Sequence, residues 1–149
     1  MSARDNPTGQ ARAPLHLWIV GGAGMLWNGW GCYDYVMTNV RDTDMITRLP
    51  LDVIDYLDAL TGWVIVAWAM AVGFALLGSL LLLGRSLWAV HAFALSLLGL
   101  AAMQAYALAI GVSSSMNAPI IWTSVVAVWL TSVGQLFYVA RMRANGMLR

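Results

Sequence analysis

Four runs of about 20 mostly apolar residues dominate this chain of 149 residues, at 17–38, 63–83, 87–111 and 119–140. Each is long enough to cross a hydrocarbon core of roughly 30 Å as a helix. With no water inside the core to bond its amide groups, the backbone there must satisfy itself, which leaves few folds open. Composition agrees: 60% of residues are hydrophobic and 10% charged, with a mean hydropathy of +0.72, too apolar for an ordinary soluble domain. The expected fold is an all-α membrane protein, a four-transmembrane-helix bundle forming one domain over 15–149, behind a flexible cytoplasmic tail at 1–14.

The breaks between the runs are chemical. A charged segment covers 39–60, Gly84-Arg85-Ser86 makes a short turn, and the polar stretch 112–118 precedes Pro119, which costs no hydrogen bond at a helix start. In the first break, Leu51, Ile54, Tyr56 and Leu57 alternate with Asp52, Asp55 and Asp58 after Pro50. That spacing predicts a short amphipathic helix in the first outer loop, lying on the membrane surface or capping the bundle; a solvated Asp-rich turn is the alternative. The first apolar run is longer than a signal-peptide core and lacks a clear small-residue cleavage site, so it reads as a retained anchor.

All eight cations are Arg and all seven anions Asp. Arg4, Arg12, Arg85, Arg141, Arg143 and Arg149 fall on one side of the runs. Arg41 and Arg48 fall on the other, among five Asp. Cations near short loops stay cytoplasmic, so both termini are expected inside. Trp18, Trp63, Trp88 and Trp122 stand near run ends, where an indole suits the headgroup region. The net charge of +1 gives no footprint for nucleic acid, and a single Cys excludes an intrachain disulfide.

Helices in lipid associate through close backbone approach and interhelical hydrogen bonds. Gly21, Gly24, Asn28, Gly31 and Tyr35 form such a seam on the first run. Ala67, Ala71, Ala75 and Ser79 make a ladder on the second, and Ala92, Ser96, Gly99, Met103 and Tyr106 on the third. Ser124, Thr131, Gln135 and Tyr138 share a face on the fourth. The packing residues expected to matter most are Gly24, Asn28, Gly31, Ser124, Thr131 and Gln135.

An ionisable group inside a run is a candidate for function. Asp34 lies about 17 residues into the first run, roughly 26 Å from its start at 1.5 Å per residue. Gln104 and Tyr106 on the third run reach a similar depth, so Asp34, Tyr35, Gln104 and Tyr106 form a candidate polar binding cluster. The structural alternative pairs Asp34 with Arg41 or Arg48. His16 and His91, near the inner ends of their runs, are candidate ligands of a b-type haem, against a role as interfacial or hydrogen-bonded histidines with Gln135 beside His91. Cys32 reads as a small packing residue, and Ser113-Ser114-Ser115 as a loop. No phosphate loop, paired catalytic carboxylates or metalloprotease motif is present. The chain is therefore read as no enzyme, with no resident metal or cofactor expected unless the histidines hold haem.

The stretch Leu26-Trp27-Asn28-Gly29-Trp30-Gly31-Cys32-Tyr33-Asp34-Tyr35-Val36-Met37-Thr38, followed by Arg41, resembles the first span of small four-helix proteobacterial inner-membrane proteins. The segments 78–83 and 88–99 and the basic C-terminal tail are similar too. Members of that group often carry a sugar-transporter label, so the resemblance implies a bacterial inner (cytoplasmic) membrane location and a transport hypothesis. Three functions follow as expectations. The first is a non-enzymatic accessory subunit that binds other integral membrane proteins, or itself, through helix faces and the acidic outer loop. The second is an oligomeric small-solute transporter with a polar site at Asp34, and the third a haem- or quinone-binding redox subunit.

Overall fold

The computed structural model describes residues 14–112 and 114–149; the expected tail, with Arg4 and Arg12, and Ser113 lie outside the described residues. The described residues form six α-helices and one 3-10 turn, with no strand. Helix α1 spans Leu15–Asn39, α2 Thr43–Ile46, α3 Leu51–Asp58, α4 Gly62–Leu83, α5 Trp88–Ile110 and α6 Pro119–Ala144, with the 3-10 turn at Ser114–Asn117. Three of these, α4, α5 and α6, are long and apolar enough to cross a membrane. Helix α1 is as long, at 25 residues, but five Gly, Asn28 and Asp34 interrupt its apolar run, and it is not among the three. Proline starts three of the helices: Pro14 and Pro50 stand at the caps of α1 and α3, and Pro119 opens α6 where its missing N–H has no helical acceptor to meet.

Helix α4 lies between α1 and α5, and α6 packs against α5. The α1–α4 contact runs antiparallel in steady register. Gly21 faces Leu83, Gly24 faces Ser79, Gly31 faces Val72, and Tyr35 meets Trp68. On the other side of α4, Ser96 of α5 donates to the Ala71 carbonyl at 2.6 Å. At Gly99 the two backbones nearly touch: a Cβ there would stand 2.6 Å from Ala67 O and 2.7 Å from Ala71 N. The buried ladder Ala67, Ala71, Ala75 and Ser79 is thus the strip on which both neighbours rest.

The two ends of the bundle differ. At the end carrying Arg85, Arg141, Arg143 and Arg149, one core cluster joins Leu17, Leu82, Ala89, Phe93, Val139, Met142 and Leu148. Arg85 and Gly146 adopt left-handed backbone, at φ of 57° and 68°, which reverses the chain after α4 and after α6. The tail then docks on the α4–α5 turn. Arg149 N donates to Arg85 O at 2.7 Å, Leu87 N to Arg149 O at 3.2 Å, and Arg85 Nε to Met147 O at 3.0 Å.

At the other end, long connections are tied by side chains. Arg41 pairs with Asp58, joining the end of α1 to the end of α3. Asp52 of α3 accepts from Ser115 N at 2.9 Å, Ser115 Oγ at 2.7 Å and Ser114 Oγ at 3.2 Å, so one carboxylate caps the 3-10 turn of the other connection. Gly99→Ala is expected to lower stability by about 1–3 kcal/mol, because backbone rather than a movable side chain blocks the new methyl. Gly73→Ala, which meets nothing within 4 Å, should cause no loss. Unfolding titrations of both variants in mixed micelles check this.

Candidate functional site

Asn28 fixes where the helices meet. Its Nδ2 lies 2.9 Å from Ser79 Oγ, 3.2 Å from Ala75 O and 3.3 Å from Gln135 Oε1, so one buried amide joins α1, α4 and α6. Ser79 Oγ in turn donates to Ala75 O at 3.1 Å. Gly24 makes room, because a Cβ there would stand 2.9 Å from Gln135 Nε2 and 3.0 Å from Ser79 Oγ. Toward the Arg-rich end, α1 and α6 also touch where His16 Nδ1 and the Tyr138 hydroxyl share a hydrogen bond at 2.6 Å.

Beyond Asn28, on the side of the Asp-rich connections, a cavity of about 710 Å³ opens among α1, α4, α5 and α6. Helix α1 contributes Trp27, Asn28, Trp30, Gly31 and Asp34 to its wall, and α4 contributes Trp68, Ala71, Val72 and Ala75. Ser96, Leu100 and Met103 of α5 and five residues of α6 from Thr123 to Ser132 complete it. Small residues leave the space: where α4 and α5 carry Ala and Ser to approach one another, little side chain remains to fill the interior. The polar groups on the wall are a carboxylate, an amide and hydroxyls.

Asp34 is half-buried and has no hydrogen-bond or ion-pair partner among the described residues. Arg41, one of its two candidate partners, is taken by Asp58. The rest of the polar cluster expected from the sequence is divided. Tyr35 packs edge-on against Trp68, with ring centroids 5.3 Å apart, and Tyr106 against Trp63 at 5.4 Å. Gln104 lines a second cavity of about 340 Å³, bounded by α3 to α6 and the 3-10 turn. Asp34 thus borders the first cavity and Gln104 the second, while Tyr35 and Tyr106 each pack on a Trp of α4. Burial pushes the Tyr56 hydroxyl, on the wall of the second cavity, above the usual phenol range, and nearby Tyr106 adds to the rise.

Of the remaining residues, Gly31 rests against Val72, Ser124 borders both cavities, and Thr131 donates back to its own helix at Ala127 O and Val128 O. Cys32 Sγ donates to Val72 O at 3.3 Å, a packing role. His91 packs on Trp88 with ring centroids 5.2 Å apart, while Gln135, expected beside it, instead accepts from Asn28. His16 stands on α1 and His91 on α5, helices that both pack against α4. Sequence reasoning passed over Ser96, Trp68 and Ser132 as cavity walls. Their signal is a run of small or hydroxyl residues opposite the carboxylate, legible only once the helix order is known.

Compared with known proteins, the chain matches no protein-family model, no curated protein and no solved structure.

The Asn28–Gln135 contact is measurable as a coupling. A double-mutant cycle of Asn28→Ala and Gln135→Ala is expected to give about 0.5–1.5 kcal/mol, the range of interhelical hydrogen bonds in membrane proteins. A coupling near zero would mean that the amides do not hold α6 to the bundle.

Proposed function

We propose that the protein is a small inner-membrane protein of four spans that binds a polar or cationic organic solute in the cavity at Asp34, as a transporter or its binding unit. The observation that carries this reading is a carboxylate with no partner among the described residues, on the wall of a cavity of about 710 Å³. A carboxylate at membrane depth without an internal partner is costly unless water or a cation reaches it. The volume lies within the range of cavities that bind small organic molecules. Trp27, Trp30 and Trp68 also line the cavity, and aromatic rings attract ammonium groups where water is thin.

In this reading α1 is the fourth span. The register of Gly21, Gly24 and Gly31 against α4 supports it, since α4 is itself apolar enough to span. The Arg-rich end, with the docked C-terminal tail, lies in the cytoplasm by the distribution of cations. The Asp-rich end faces out, with α3 at the membrane surface. No catalytic role is proposed.

An accessory or self-associating role is favoured by one separate feature. Val126, Leu130, Val133 and Phe137 form an apolar stripe at alternating spacings of four and three along α6, all uncovered by the rest of the chain. A partner helix fits such a stripe as lipid does. The haem or quinone reading has less support, since His16 is engaged by Tyr138 and His91 lies against Trp88.

Titration of the protein in lipid nanodiscs with tetramethylammonium, read through tryptophan fluorescence, is expected to saturate, and Asp34→Asn should weaken binding at least tenfold. No saturable binding to the wild type, or equal binding by the variant, would contradict the solute-binding reading. Native mass spectrometry of the same sample reads the second role: one copy without a partner would remove it.

A further inference from the structure

The two cavities adjoin. Trp68, Leu100, Met103, Ser124 and Val128 belong to the walls of both, so these five side chains are a shared partition. On α5 the first cavity runs from Ser96 to Met103 and the second from Leu100 to Ala107, a shift of one helical turn, about 6 Å, toward the Asp-rich end. Their chemistry differs. The first holds Asp34, Asn28 and several hydroxyls; the second is walled almost wholly by Leu, Val, Met, Ile and Trp, with Gln104 and the raised-pKa phenol of Tyr56 among its few polar groups. Two members of the partition, Leu100 and Met103, are unbranched at Cβ, and a methionine side chain repacks readily.

We infer that the ligand of this protein is an amphiphilic organic cation, whose charged head sits at Asp34 and whose apolar tail crosses the partition into the second cavity. The inference rests on the solute-binding reading above and adds the ligand's shape. A bare ammonium ion would leave most of the 710 Å³ filled by water and give the second cavity, of about 340 Å³, no occupant. A tail placed there exchanges water for apolar wall, a gain of up to about three- to fourfold in affinity per buried methylene. The sign of the head follows from the field. Five Asp in the connections beside the cavities, against Arg41 and Arg48, with Arg41 held by Asp58, favour cations and repel an anionic amphiphile.

The test compares tetramethylammonium with octyltrimethylammonium on the protein in nanodiscs, with partition into empty nanodiscs subtracted. Wild type should bind the octyl probe at least tenfold more tightly than the methyl probe. Ala107→Phe fills the second cavity from α5, and Leu57→Trp fills it from α3, so one variant serves if the other misfolds. Either should remove at least tenfold of octyl affinity and leave tetramethylammonium within twofold of wild type. Equal affinity for the two probes, or filled variants that bind the octyl probe as wild type does, would overturn the tail site while leaving the reading of Asp34 standing. Failure of tetramethylammonium to bind wild type would instead overturn that reading, and the tail site with it.

Discussion

The arrangement depends on one buried amide. Asn28 has two hydrogens to give and three acceptors around it, on α4 and on α6: the Ala75 carbonyl, the Ser79 hydroxyl and the Gln135 amide oxygen. In a medium without water, such a node holds helices that the hydrophobic effect does not bring together. Helix α6 needs it most, since its contact with α1 is otherwise confined to the neighbourhood of His16 and Tyr138. Below the node the helices close on the apolar cluster around Leu17 and Val139; above it α1 and α6 part, and the cavity is the space between them.

The small residues have a double effect. Gly99 lets α5 approach the backbone of α4, and the Ala ladder lets α1 approach from the other side, so three helices form a tight sheet-like row. The same economy of side chain leaves the fourth helix facing a hollow. The bundle thus has two unlike halves: a packed half with the docked tail, and an open half whose connections are tied by Asp52 and Arg41.

Helix positions were largely legible in the sequence, because length and apolarity alone set where a helix of this kind starts and stops. The spans read as 63–83 and 87–111 fall within a residue of α4 and α5, and Pro119 opens α6 as its chemistry requires. The packing faces were legible where small residues marked them. What the sequence withheld was the order of neighbours and the rotation of each helix. Helices α4 and α5 are apolar on every side, so periodicity says little about which side turns inward. Depth along the helix placed Asp34 and Gln104 together; helix rotation puts them on the walls of two adjoining cavities. The capping of the Ser114–Asn117 turn by Asp52 was hidden for a different reason: the partners are 63 residues apart, Asp52 reading as the polar side of a surface helix and Ser115 as a loop residue.

If the cavity lined by Asp34 takes up its solute from the side of the Asp-rich connections, as proposed, a water-borne reagent must reach position 34 from that side. Sided labelling tests it directly, using Asp34→Cys in a Cys32→Ala background and a charged, membrane-impermeant thiol reagent, with Tyr33→Cys as the control facing away from the cavity. Labelling is expected at position 34 from the side of the Asp-rich connections alone, and little at position 33. Labelling of position 34 from the opposite side, or equal labelling of the two positions, would contradict it.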